Sequence, residues 1–202
     1  MTQAATPEDV LDFWFDQPSA AADVAARQSK LWFSKSAAND QLVTERFADT
    51  LIAAGAGKLD HWALTPRGQL ALIVVLDQFP HHIHRNHGQS FAYDAQSLAL
   101  AQAMIQSGDA VRVVPIERVF VYLPLEHAES LALQDQSVAL YAQLEAKASD
   151  AERPLFQGFL DYAQQHRDVV ARFGRFPHRN ELLGRPSTAE EIAFLKQPGS
   201  RF

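Results

Sequence analysis

With 202 residues, 47% of them hydrophobic and 21% charged, the chain has the make-up of one globular domain that buries roughly 70% of its unfolded surface, which excludes disorder. It contains no cysteine, which excludes disulfides, thiolate nucleophiles, iron–sulfur ligation and Cys-based zinc sites and leaves only His, Asp and Glu as metal ligands. A net charge of −6 opposes nucleic-acid binding but permits a local basic patch for a small anion.

In chain order, Thr6-Pro7-Glu8-Asp9 opens a helix: Thr6 caps the first turn, Pro7 suits the first helical position, and the acids face the positive end of the dipole. The helix is expected to run to about Asp16 with Val10, Phe13 and Trp14 on one face, before Pro18-Ser19 ends it. Met1 to Phe15 has no Lys or Arg and several acids, unlike a secretory signal, so a cytoplasmic location is expected. A second segment ends in Leu31-Trp32-Phe33. A third, Ala38 to Ala54, stripes Leu42, Phe47, Leu51 and Ala54 before Gly55 and Gly57. Thr65-Pro66 repeats the opening signal and leads into Leu70 to Leu76, an apolar run predicted to be the central helix. That seven-residue run is the longest in the chain, far short of the roughly 20 residues needed to cross a bilayer, so no membrane partner is expected.

Asp94 is predicted to cap a helix from Ala95 to Ser107, ended by Gly108. Val111 to Leu123 is dense in Val, Ile, Phe and Tyr; a lone strand would have no partner, so helix or extended loop is preferred. A long helical pair follows, roughly Glu126 to Lys147 and Pro154 to Phe173, and the capping boxes of Ser187-Thr188-Ala189-Glu190-Glu191 start a last short helix. No Gly-, Ser- or Pro-rich linker divides the chain, and no internal repeat near 34 residues is evident. The expectation is an all-α fold in one domain over residues 1–202.

Three constellations bear on chemistry. The segment His166 to Arg185 holds Arg167, Arg172, Arg175, Arg179 and Arg185 against only Asp168 and Glu181. Their forked guanidiniums suit carboxylate or phosphate, and Gly174 and Pro177 bend the chain beside Arg175, His178, Arg179 and Asn180. The plainer reading has these arginines satisfying helix ends and neighbouring acids. In Pro124-Leu125-Glu126-His127-Ala128-Glu129, two carboxylates and a histidine offer acid–base chemistry, or else the acids only complement a helix dipole. His81, His82, His84 and His87 follow Asp77-Gln78-Phe79-Pro80; a solvated loop is preferred to a metal site, because metal sites draw ligands from separate elements. Nucleotide-binding, zinc-protease, esterase and di-iron signatures are all absent.

Asp12-Phe13-Trp14-Phe15, Leu76-Asp77-Gln78-Phe79-Pro80, Tyr122-Leu123-Pro124-Leu125-Glu126-His127-Ala128-Glu129 and Phe173-Gly174-Arg175-Phe176-Pro177-His178-Arg179-Asn180, with Leu183-Gly184-Arg185 and the closing Gly199-Ser200-x-Phe202, together resemble the bacterial domain-of-unknown-function family nine hundred twenty-four. The resemblance spans nearly the whole chain. It implies an array of antiparallel helical hairpins similar to tetratricopeptide folds, and it implies no activity or cofactor. In that family Gln-Phe-Pro is usually followed by Arg-Asn-Ile-x-Arg; here His81-His82-Ile83-His84-Arg85 follows, and of the pattern's two arginines only Arg85 fits. Arg85, Glu126, His127, Glu129, His166, Arg175, His178, Arg179 and Asn180 all sit on family-like blocks.

The leading expectation is one polar cleft between helices for a small anion, with Arg85, His166, Arg175, His178, Arg179 and Asn180 as ligand contacts. Glu126, His127, Glu129 and His178 are the candidates for acid–base work there. The alternative, resting on fold analogy, is an adaptor that holds a peptide or partner protein in an extended groove.

Overall fold

The computed structural model describes residues 5–201; Met1–Ala4 and Phe202, the last residue of the family-like closing block, lie outside them. The described residues form helices and turns with no strand. In chain order the helices are α1 (Pro7–Phe15), α2 (Ala21–Phe33), α3 (Ala37–Gly55), α4 (Pro66–Ile73), α5 (Phe79–Ile83), α6 (Asp94–Gln106), α7 (Pro115–Glu126), α8 (Leu131–Lys147), α9 (Arg153–Phe173) and α10 (Ala189–Phe194).

Several starts follow local chemistry. Thr6 Oγ1 accepts from Asp9 N at 3.2 Å while Asp9 Oδ2 accepts from Thr6 N at 2.8 Å, a reciprocal cap that Thr188 and Glu191 repeat at α10. Thr65 caps α4 through Gly68 N at 3.1 Å. A Cβ at position 68 would stand 1.9 Å from the Trp62 carbonyl oxygen, so only glycine lets this turn close.

Leu70 to Leu76 is wholly buried, as predicted, but it is not one regular α-helix. At Val74–Gln78 the chain widens into a π-helical turn joining α4 to α5. Such a turn re-aims side chains and is frequent at functional sites. Here it brings Asp77, 1% exposed, and Gln78 into the interior. Around it, Trp14 meets Phe79, Phe120 and His82 edge-on, Phe79 stacks on Phe47 at 4.7 Å, and Trp32 Nε1 donates to the Trp14 carbonyl at 2.8 Å. These contacts fix α1, α2, α3, α5 and α7 to one core.

The strand-like stretch divides into a short 3-10 turn at Asp109–Arg112 and α7, with Val119 to Glu126 buried without interruption. Pro124 lies inside α7 rather than at a helix start, so the predicted Glu126-to-Lys147 helix is corrected: α7 ends at Glu126 and α8 begins at Leu131. Fully buried Gln134 stitches this turn, its Nε2 donating to the carbonyls of Glu126 at 2.5 Å and Ala128 at 2.8 Å. Gly174, at φ +69°, ends α9 in the left-handed conformation and releases the chain to run back over the α7–α8 turn. Consecutive hairpin packing describes α7, α8 and α9; α4 instead touches α1, α6 and α7 together, so the N-terminal half is not a linear hairpin stack.

Candidate functional site

The turn after α7 and the π-helical turn place the central pair. His127 Nδ1 lies 3.0 Å from Asp77 Oδ1, and because a carboxylate only accepts, Nδ1 carries the hydrogen. Asp77 also accepts from Gln78 Nε2 at 2.6 Å and Ser97 Oγ at 3.4 Å. A buried carboxylate thus fixes the tautomer and orientation of His127, whose side chain is 17% exposed and reaches a cavity of about 320 Å³. Burial disfavours the imidazolium, but the Asp77 charge outweighs it and raises the His127 pKa; the same pairing lowers that of Asp77 against its own burial.

Beside this pair stand His166 and Glu126. His166 Nδ1 lies 2.9 Å from the Tyr162 carbonyl and 3.2 Å from Glu126 Oε1, and the carbonyl requires that Nδ1 be the donor. Glu126, 2% exposed, ends α7, where the helix dipole opposes a negative charge. Burial raises its pKa to about 7. Burial likewise pushes His166 and His81 down to about 3, so both imidazoles stay neutral. The His81 ring is 5.6 Å from that of His127 and 5.7 Å from Phe91.

Arg179 is the buried cation of the cavity, which Lys35, Arg85 and Arg201 also line. Its guanidinium lies 4.7 Å from both the Phe91 and Phe176 rings, sandwiched between them, and Nη1 donates to Asp94 at 3.2 Å. Its Nε is buried with no acceptor among the described residues. Asp94, predicted as a helix cap, is instead the first residue of α6 with its carboxylate turned to Arg179; burial lifts its pKa to about 6. His178 lines the cavity too, pushed to about 3 by burial and by the Arg179 charge. Arg85 is on the wall with its charge engaged: it forks onto Asp40 at 2.5 Å through both Nε and Nη2, and Asp40 also holds His82 Nδ1 at 2.9 Å.

Of the sequence-predicted residues, Arg85, Glu126, His127, His166, His178 and Arg179 therefore line one cavity. Arg175, Asn180 and Glu129 do not; their polar groups hold the returning C-terminal chain and α10. Arg175 forks onto Glu191 at 2.7 and 2.9 Å, docking α10. Asn180 donates to Ser187 Oγ at 3.0 Å and accepts from Arg185 Nε. Glu129 takes both Arg185 nitrogens at 2.6 and 2.8 Å and the Phe176 N–H at 2.8 Å, tying the returning chain to the α7–α8 turn.

The histidine run is not a solvated loop. His81 and His82 are within α5, His84 ends it, and His87 accepts from Gln89 N. Among the described residues no three His, Cys, Asp or Glu side chains are placed to hold a metal ion. Sequence reasoning missed Asp94 as a site residue, and it met Asp77 and His81 only around the histidine run, where a solvated loop is preferred to a metal site. The available signal was an acid directly following an apolar run, which marks a buried charge in need of a partner.

Residues 10–199 match the family described as bacterial protein of unknown function (DUF924). The solved structure of a protein of unknown function from Agrobacterium tumefaciens is 38% identical over 87% of this chain and 96% of that one, with a TM-score of 0.73. No curated protein matches the chain. The all-α architecture and a match over nearly the whole length agree: the chain belongs to the bacterial family of unknown function DUF924.

Proposed function

We propose that the cavity binds a small anionic ligand, a carboxylate or phosphate, and that His127 exchanges a proton with it. The observation that carries this reading is convergence: neutral His81 of α5, Asp77-oriented His127 after α7, and the neighbours His178 and Arg179 after α9 come from three separate elements to one concave cavity. Asp77 anchors the Nδ1 side of His127, which makes Nε2 the nitrogen for proton exchange, and Arg179 offsets the anion's charge. An adaptor would need its polar groups strung along an extended groove, and the convergence favours the ligand pocket. No helix of the described residues is long and apolar enough to cross a membrane; with the net charge of −6, a cytoplasmic small-molecule role fits better than one on nucleic acid.

The test is thermal stability across a panel of carboxylates and phosphates. A bound member at about 100 times its Kd stabilises by about 2.7 kcal/mol, or about 5–10 °C for a chain of this size. Arg179→Gln is expected to abolish the shift and Arg175→Ala, which makes the same charge change outside the cavity, to keep it. A panel without any shift, or a shift that both variants lose equally, refutes the proposal.

A further inference from the structure

Besides its histidines and its charged side chains, which include Lys35 and Arg201, the cavity is lined by aromatic ones: Trp32 and Phe33 at the end of α2, Phe91 before α6, and Phe159 and Tyr162 on α9. Phe33 is 55% exposed at the rim, its ring 6.2 Å from that of Phe159. Single exposed apolar residues are ordinary. This one, however, continues an aromatic lining that leads inward to Phe91 and to the Arg179 guanidinium stacked on it.

The charge at the inner end favours one class of anion. Arg179 is offset by Asp94 at 3.2 Å and His127, when protonated, by Asp77 at 3.0 Å, so these four groups then sum to no net charge. A phosphate dianion at Arg179 would enter directly beside two carboxylates, although Lys35 and Arg201 also line the cavity. A single carboxylate needs only directed donors, and two are in place. The edge of the Arg179 guanidinium away from Asp94 carries the Nε–H without an acceptor and has the fork that a carboxylate accepts, and His127 supplies Nε2. Size sets the body. The cavity of about 320 Å³ is about twice the 150 Å³ that holds a benzene molecule, room for one ring and a short acid chain.

We infer that the ligand is a small aromatic monocarboxylate, its ring held among Trp32, Phe33, Phe91 and Phe159 and its carboxylate on Arg179 and His127. This rests on the anion-binding reading and narrows it.

The experiment is calorimetric titration of the full chain with 3-phenylpropionate, its neutral amide, acetate and inorganic phosphate. The acid is expected to bind at least about tenfold more tightly than the other three, since each lacks the ring or the single carboxylate. Phe33→Ser removes an exposed rim side chain, so folding is retained; it is expected to weaken 3-phenylpropionate at least about threefold and leave acetate unchanged. Phosphate binding as tightly as the acid, with no effect of Phe33→Ser, overturns the aromatic-carboxylate inference and leaves the anion site standing. Binding of the amide as tightly as the acid, or of none of the four, overturns both.

Discussion

Asp77→Asn removes the central charge of the site while keeping its shape. The two oxygens of Asp77 accept from His127, Ser97 and Gln78. An asparagine that keeps its oxygen toward His127 and Ser97 turns its amide nitrogen to Gln78, whose own amide reverses to accept it. The geometry survives, and what is lost is charge assistance. Bonds to charged groups are worth about 1.5–3 kcal/mol and neutral ones about 0.5–1.5, so the expected cost is about 1–2 kcal/mol. That is below the roughly 3–5 kcal/mol of stranding a buried charge, because His127 can release its proton. The variant should melt about 2–8 °C lower near pH 6. Because the folded pKa of His127 is raised, its contribution is full below the imidazole's unfolded value and is lost as pH rises through the folded one. For Asp77, whose folded pKa is lowered, the contribution is present above the unfolded value and lost as pH falls through the folded one. The stability gap between wild type and variant is therefore widest between about pH 4 and about pH 6.5 and narrows above it. Side-chain nitrogen NMR follows His127 directly: its pKa, above the ordinary imidazole value in the wild type, drops below it in the variant, where burial and the Arg179 charge outweigh Glu126. A His127 pKa that stays above that value in the variant, or a gap that does not narrow toward about pH 9, refutes the reasoning.

Phe79→Ala should cost about 3–5 kcal/mol in urea denaturation, because the ring is wholly buried against Phe47 and Trp14. Arg175→Ala, which severs the fork to Glu191, should lower stability by about 1–3 kcal/mol while leaving calorimetric ligand affinity unchanged. Acid should destabilise the fold. His81, His166 and His178, held down to about 3, refuse protons that the unfolded chain accepts, whereas Glu126 and Asp94, raised to about 7 and about 6, take up protons on folding. Between about pH 6 and about pH 5 these three protons, joined by those of His82 and His84, whose pKa values burial also lowers, outnumber the two that favour folding, so stability falls with acid. Melting temperatures that are flat or that rise with acid across that window contradict the assignment.

The features legible in the sequence are those decided within a few residues. Thr6, Thr65 and Thr188 act on backbone or side chains three positions away, and each starts the helix predicted for it. Pro124 misled for the same reason: nothing local separates a proline that opens a helix from one inside a helix surrounded by others, and the packing around α7 decides. The site was half legible. Arg85, Glu126, His127, His166, His178 and Arg179, expected in one cleft, line one cavity, but Arg175 and Asn180 are indistinguishable from them in sequence because identical guanidinium and amide chemistry serves to dock α10. Asp77 orients a histidine fifty positions away in the chain, and His81 reaches the cavity only because the π-helical turn rotates α5. Neither relation exists before the chain has folded.

The most direct test of anion binding at His127 and Arg179 is the histidine side-chain nitrogen spectrum of the wild type with and without saturating 3-phenylpropionate. Shifts confined to His127 and its cavity neighbours His81, His166 and His178, with exposed His61 unmoved, are the predicted result. An unshifted His127, or a His61 that moves as much, contradicts it.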